Sequence, residues 1–284
     1  MSRIAFQGEL GAYGHEACVQ ARPDHEPLPC ATFEDALEAV RDGRAELGMI
    51  AIENSTYGRV ADVHRLLPES GLAVVGEAFV RVRIALMAPK GRRLDEIERV
   101  RAHIVLLPQA KGFLDARGIA ARPAADSAGA ARVLAETGAP GEGVLASRLA
   151  AETYGLEVLA ENIEDHGHNT TRFLIMAREP LLPPAGDGPV MTTFVFRVRN
   201  IPAALYKAMG GFATNGVNMT KLESYMVGGH FTATQFYADI EGHPGEEAVR
   251  LALEELRFFS THVDVLGTYP ADPRRYAAPP VEAA

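Results

Sequence analysis

Asp165-His166-Gly167-His168-Asn169-Thr170-Thr171-Arg172-Phe173-Leu174-Ile175-Met176 closes a long run of alternating helix and strand patterns. A polar, donor-rich entry leads straight into an apolar strand. A buried strand opens on Asn, two Thr and an Arg when those groups have something to bind. Further back, residues 47–52 form a continuous apolar run, the mark of a strand covered on both faces, and it too stops abruptly, at Glu53-Asn54-Ser55. Residues 3–7 read as a short strand, followed by Gly8, Gly11 and Gly14 and a helix over 15–21. Thr32 is a fair N-cap for a second helix, with Phe33, Ala36, Leu37 and Val40 at helical spacing. Strands are expected at 72–78 and 80–88. Another, at 104–107, leads through Pro108 into a helix reaching Ala116. Asp126-Ser127 caps a helix to about 136, and a strand at 144–147 precedes a helix at 149–154. This alternation predicts an α/β unit over 1–178 with mainly parallel strands.

The composition then changes. Residues 179–189 hold four prolines and two glycines without periodicity and read as a linker. Over 190–269 the order becomes strand 192–198, helix 202–213, strand 217–225, strand 231–240, helix 246–256, strand 262–267. That βαββαβ order is ferredoxin-like, with Val227-Gly228-Gly229-His230 as the central hairpin turn. Residues 270–284, rich in proline and small residues, read as a flexible tail.

The chain has 284 residues, 47% of them hydrophobic, enough for two domains with buried cores. A formal net charge of -9 disfavours nucleic acid or an anionic membrane as a partner. No stretch reaches the roughly 18 consecutive apolar residues of a bilayer span, and the start lacks a signal-peptide pattern. The expectation is a cytoplasmic protein with Cys18 and Cys30 as reduced thiols.

Three segments carry candidate chemistry. The turn Gln7-Gly8-Glu9-Leu10-Gly11-Ala12-Tyr13-Gly14 sits between strand and helix, where backbone N–H groups can meet an anion. Its glycine spacing is not the dinucleotide pattern, and a purely structural turn is the competing reading. Glu53, Asn54 and Ser55 lie at the carboxyl end of a buried strand, where open α/β sheets bind ligands; capping the next helix is the plainer role. In Asn169 to Phe173, strand alternation puts Asn169, Thr171 and Phe173 on one face and Thr170 and Arg172 on the other. Thr171 is expected to face the substrate, with Arg172 behind it or reaching around the strand end. His166-Gly167-His168 lacks a matched third ligand, so no metal is expected.

These segments together resemble the prephenate dehydratases in order and spacing. The likeness rests on Phe6-Gln7-Gly8 with Gly11-Ala12-Tyr13, Ile52-Glu53-Asn54-Ser55, Pro108-Gln109-Ala110, Asp126-Ser127-Ala128-Gly129-Ala130-Ala131, Ala146-Ser147 and Asn169-x-Thr171-Arg172-Phe173. The stretch 190–269 is similar to an ACT regulatory domain, through Pro202, Ala204-Leu205 and Gly216 to Ser224. The resemblance implies a two-lobed catalytic domain like periplasmic binding proteins, with the site between lobes. It implies loss of the ring carboxylate as CO2 and of the ring hydroxyl as water, giving phenylpyruvate without a cofactor. Thr171 then donates to the departing oxygen, with Glu53 or a water as proton source. Asn54, Ser55 and the Gly8 to Gly14 turn hold carboxylates, and Gln7, Gly8, Gly11, Ala12, Tyr13, Asn169, Arg172 and Phe173 complete the substrate site.

The ACT likeness implies feedback inhibition by L-phenylalanine at a subunit interface, contacted by Ala203, Ala204, Leu205, Asn218, Met219, Glu223 and Ser224. Two departures bear on it. Ala203 stands where the family often has glycine, and Tyr225-Met226 where it often has Arg-Pro. In the catalytic half, Leu106-Leu107 replaces the usual Ser-His, and Gly14 stands where serine is more usual. A homodimer or homotetramer is expected. An arogenate dehydratase, whose substrate has an amine where prephenate has a ketone, is the alternative enzyme. A non-catalytic sensor of an amino acid or other small ligand is the alternative from another class.

Overall fold

The computed structural model describes residues 2–186, 188–226 and 233–277. The hairpin turn expected at 227–230 lies outside the described residues. The first elements are β1 Arg3–Gln7, α1 Tyr13–Ala21, β2 Glu26–Cys30, α2 Phe33–Arg41, β3 Leu47–Asn54, β4 Gly58–Arg59, α3 Ala61–Leu66 and β5 Ala73–Arg81. Then come β6 Ala85–Ala88, β7 Arg99–His103, α4 Lys111–Asp115, β8 Ala120–Ala124, α5 Ser127–Thr137, β9 Glu142–Ala146, α6 Arg148–Tyr154, β10 Glu157–Ala160 and β11 Thr170–Ala177. The last are β12 Val190–Val198, α7 Ala204–Thr214, β13 Met219–Met226, β14 Ala233–Glu241, α8 Glu247–Phe259 and β15 Ser260–Pro270.

Contacts group the chain into two units, one of residues 1–60, 78–173 and 276–284, the other of 61–77 and 174–275. The first contains two α/β lobes. One sheet runs β2-β1-β3-β11-β5 with β4 added to β3, and β1 pairs in parallel with both β2 and β3. The other runs β10-β6-β9-β7-β8. Here β7 is parallel to β8 and β9, whereas β6, by which the chain enters this lobe, runs against both its neighbours.

Local chemistry accounts for most of these elements. Thr32 and Asp35 form a reciprocal capping box at α2. The Asp126 carboxylate caps α5 by accepting the Gly129 N–H, and Gly138 ends that helix in the left-handed conformation. The stretch Ile104 to Leu107 is a correction: it is not a strand. The strand is β7, just upstream, where Val100 and Ala102 are buried. Arg99 and Arg101 point the other way, each 2.9 Å from the Glu142 carboxylate on β9. Leu106 instead joins the core of the second lobe. Strands β2 and β8 gave no strand signal because they carry Pro27, Pro29 and Pro123, which sheets tolerate at their edges, where both strands lie.

In the second unit the antiparallel sheet runs β13-β14-β12-β15. This is the strand order of a ferredoxin-like βαββαβ fold. Phe194, Phe196, Phe236, Ala238 and Ile240 meet Ala208 and Phe212 of α7 and Leu253 and Leu256 of α8 in one core. Residues 61–77 also belong to this unit. The His64 ring stands edge-on to Tyr237 with centroids 5.0 Å apart. The buried Glu77 carboxylate accepts the Arg275 guanidinium and the Asp272 N–H. The segment read as a flexible tail thus carries a hydrogen-bonded 3-10 turn at Pro273–Tyr276.

Gly267 on β15 marks the closest approach in this unit: a Cβ there would lie 2.0 Å from the Val74 carbonyl oxygen. Backbone cannot yield as a side chain can. Gly267→Ala is expected to lower unfolding free energy by about 1–3 kcal/mol, seen as a lower urea midpoint with an unchanged m-value.

Candidate active site

Strand β3 ends on Asn54, and the orientation of its side-chain amide organises the site. Asn54 Oδ1 accepts the backbone N–H groups of Thr56 and Tyr57, both at 3.0 Å. An N–H donor cannot face an amide nitrogen, so the NH2 group must point the other way. It donates to Asn169 Oδ1 at 2.6 Å and to Thr171 Oγ1 at 3.0 Å. Asn169 in turn donates to the Gln109 side-chain oxygen, and Gln109 Nε2 donates to the Val105 carbonyl at 2.8 Å. The Tyr57 hydroxyl reaches the same carbonyl at 2.9 Å. The backbone therefore sets the polarity at both ends of this amide chain. Thr171 accepts from Asn54 and keeps its own proton to donate.

Thr171 and Phe173 line a cavity of about 190 Å³. Met49 and Ala51 of β3 and Phe33 form further wall, and Gln7, Gly8, Ala12, Tyr13 and Gly14 supply the turn before α1. Asp126 enters from the second lobe. An adjoining cavity of about 230 Å³ shares Gln7, Ala12, Tyr13 and Asp126 and adds His103, Leu106, Ser127 and Ala128 among others. No side chain caps α1, so the Tyr13 and Gly14 N–H groups have no protein partner among the described residues and sit in the cavity wall. Such a helix start favours an anion.

The turn is held from behind. The Gly11 N–H donates to His15 Nδ1 at 2.8 Å, and the Gly11 carbonyl accepts the Ser147 hydroxyl at 2.6 Å. Burial lowers the His15 pKa, favouring the neutral ring whose Nδ1 can accept. A Cβ on Gly11 would fall 2.6 Å from Ala150 Cα, so only glycine fits that crossing. The Tyr13 hydroxyl donates to the Arg83 carbonyl at 2.8 Å, and its pKa is raised well above the ordinary value by burial, then by Glu16 and Glu164.

The structure therefore brings Thr171, Phe173, Gln7, Gly8, Ala12 and Tyr13 to one cavity, with Asn54 and Asn169 behind Thr171. Three expected residues stand elsewhere. Arg172 is 3% exposed and pairs with Glu53 at 2.8 Å, and neither is among the residues lining the cavity. Glu53 thus accepts from a guanidinium rather than facing a leaving group. Ser55 Oγ accepts the Thr170 N–H at 2.9 Å and donates to the His168 carbonyl at 3.2 Å, so it clamps β11 to β3 instead of holding a carboxylate. Gly11 lines the adjoining cavity, with both backbone groups engaged as described. Gln109 appeared in the sequence only within a family-like motif, and Asp126 as a helix cap within another. The signal that could have found them is a polar group at a turn or cap following a strand in the second lobe. Among the described residues no group of three or more His, Cys, Asp or Glu is placed to hold a metal ion, and no helix is long and apolar enough to cross a membrane.

In the ferredoxin-like unit, Ala204, Leu205 and Met219 pack on the core between sheet and helices. Asn218 Nδ2 donates to Glu241 Oε2 at 2.9 Å. Glu223 pairs across from Tyr237 and Ser224 from Phe236, so these two side chains face opposite sides of the sheet. Ala203 has φ of 61°, a left-handed conformation that costs a non-glycine residue about 1–2 kcal/mol. The Tyr225 hydroxyl accepts from Gln235 Nε2 at 2.5 Å, and Gln235 Oε1 accepts from Arg197.

Comparisons with known proteins bear on the family. Residues 4–181 match the prephenate dehydratase family. A bifunctional N-acyl-homoserine lactone acylase/prephenate dehydratase from Komagataeibacter europaeus is 53% identical over 273 residues, covering 96% of this chain and 97% of that protein. Arogenate dehydratase 2 of Petunia hybrida is 35% identical, over 95% of this chain and 72% of the relative. The crystal structure of a prephenate dehydratase from Arthrobacter aurescens in complex with L-Phe superimposes with a TM-score of 0.87 at 31% identity, covering 97% and 92% of the two chains. With its threonine donor held at the mouth of an apolar strand and a family match across both lobes, the chain belongs to the prephenate dehydratase family.

Proposed function

We propose that the chain catalyses the decarboxylative dehydration of a cyclohexadienol of the prephenate type, either prephenate or arogenate. The bond from the ring to its carboxylate breaks, and its electron pair enters the ring as CO2 leaves. The C–O bond opposite then breaks, and the departing hydroxide takes a proton to become water. The organic product is phenylpyruvate from prephenate or L-phenylalanine from arogenate. Aromatisation drives the reaction, so the protein's part is alignment and stabilisation of charge on the departing oxygen. A threonine hydroxyl is too weak an acid to lose its proton outright near neutral pH. Its part is a hydrogen bond to that oxygen, with water as the proton source. The observation that carries this reading is the Asn54 amide, which accepts from two backbone N–H groups and so leaves Thr171 as a donor.

We further read the ferredoxin-like domain as an ACT domain that binds L-phenylalanine between subunits of a dimer or tetramer. Support comes from its strand order and from the L-Phe complex named for the Arthrobacter relative. A second activity, the acylase named for the Komagataeibacter relative, has support in the apolar wall of the adjoining cavity, including Leu106, Ala125 and Ala146. That wall suits a short acyl chain.

Mass-spectrometric detection of phenylpyruvate or phenylalanine tests the main reading. Thr171→Ala is expected to lower kcat by about 10²–10³-fold at unchanged melting temperature, and near-normal turnover would remove Thr171 from the chemistry. Asn54→Asp should be more damaging than Asn54→Ala, because a carboxylate there would accept the threonine proton. Titration of turnover with phenylalanine, tyrosine and tryptophan tests regulation, and a flat response to all three would sink it. Ala203→Gly should stabilise the fold by about 1 kcal/mol and tighten phenylalanine inhibition. Absence of any acid released from N-acyl-homoserine lactones would exclude the second activity.

A further inference from the structure

A separate cavity, of about 650 Å³, opens on the second lobe away from the cleft. It is lined by Arg93, Leu94, Asp95, Ile97, Arg117 and Ile119 and shares no residue with the two cavities of the candidate active site. Ile97 and Ile119 stand just before β7 and β8, whereas His103 and Ala125, which line the cleft, stand at the other ends of the same strands. At about 3.3 Å per residue those ends are roughly 20 Å apart. The volume is that of a small-molecule site.

The floor of this cavity is aliphatic. Ile97 and Ile119 are buried in the second-lobe core, and Leu94 packs against that core. The charged groups around the floor are unequal. The Arg93 guanidinium donates to both oxygens of Asp95, at 2.9 and 2.8 Å, so that pair is neutral as a unit. Arg117 has no carboxylate partner among the described residues. Its guanidinium carbon lies 3.9 Å from the centre of the Phe113 ring, and Nη1 donates to the Phe113 carbonyl at 3.4 Å. A guanidinium stacked on a ring is held in place and keeps its in-plane N–H groups at the edge. Nε and Nη2 have no protein partner among the described residues, and together they form the fork that a carboxylate accepts.

We propose that this cavity binds an aliphatic monocarboxylate, its head on Arg117 and its alkyl chain over Leu94, Ile97 and Ile119. A single negative charge suits the walls: Arg117 brings one uncompensated positive charge, and the Asp95 carboxylate beside it repels a dianion. An inorganic anion would leave the floor in water, whereas a chain gains by covering it. The site stands apart from the cleft and does not depend on the dehydratase reading.

Methyl NMR of the full-length protein, labelled at isoleucine, reads the site directly, with octanoate as the probe. The Ile97 and Ile119 signals should shift on titration at up to millimolar octanoate. Arg117→Gln, a change at an exposed position, should weaken binding about tenfold or more. Octanamide, which has the same chain and no charge, should bind wild type about tenfold or more weakly than octanoate, and this comparison decides the matter without any variant. No shift of either isoleucine, shifts confined to isoleucines elsewhere, or equal affinity for octanoate and octanamide would overturn the proposal. So would a folded Arg117→Gln protein that binds octanoate as wild type does.

Discussion

A single side-chain amide decides what the threonine at the cleft can do. Asn54 has one oxygen and one NH2, and two backbone N–H groups claim the oxygen. Reversing the amide would set donors against donors in a partly buried place, at a cost of about 1–3 kcal/mol for each group left unsatisfied. The orientation is therefore enforced, and with it the direction of every hydrogen bond from Val105 through Gln109 and Asn169 to Thr171. This chain crosses from one lobe to the other. Displacement of Gln109 or Tyr57 in the second-lobe contact would be felt at the threonine without either residue touching substrate.

Charge is handled at two places that do not mix. The Arg172–Glu53 pair sits behind the strand, where a buried guanidinium needs a carboxylate to offset the loss of water. The cavities are lined instead by backbone N–H groups, an amide, a hydroxyl and the Asp126 carboxylate, with no lysine or arginine among them. Ionic attraction pulls hard but positions loosely, whereas fixed dipoles position well and need no rearrangement as charge moves. A reaction limited by alignment is well served by the second kind.

The site was partly readable from residue order. Alternation along β11 separated Thr171 and Phe173 from Arg172, and the described geometry has that separation, because side chains of a strand must alternate. The same reasoning did not tell a clamp from a ligand. Ser55 has the right chemistry for a carboxylate but spends it on the backbone of β11. Gly11 has a free N–H in any extended drawing, yet folding gives it to His15. Asp126 is legible as a cap and illegible as a cavity wall, since the cap is local and the cavity is assembled by two lobes.

Capping, periodicity and apolar runs, all read within a dozen residues, determined the α/β alternation, the βαββαβ order and the expectation that Thr171 would face a ligand. They failed where local preference lost to pairing: the apolar Ile104 to Leu107 yielded its strand to Arg99–His103, whose two arginines share Glu142. Only the tertiary structure decided which polar groups stay unspent. A donor or acceptor is available to a ligand only when no part of the protein has taken it, and Asn54 meets Asn169 and Thr171 from 115 and 117 residues away. No local rule reaches across that distance, because those contacts exist only after the sheet has brought β3 and β11 side by side.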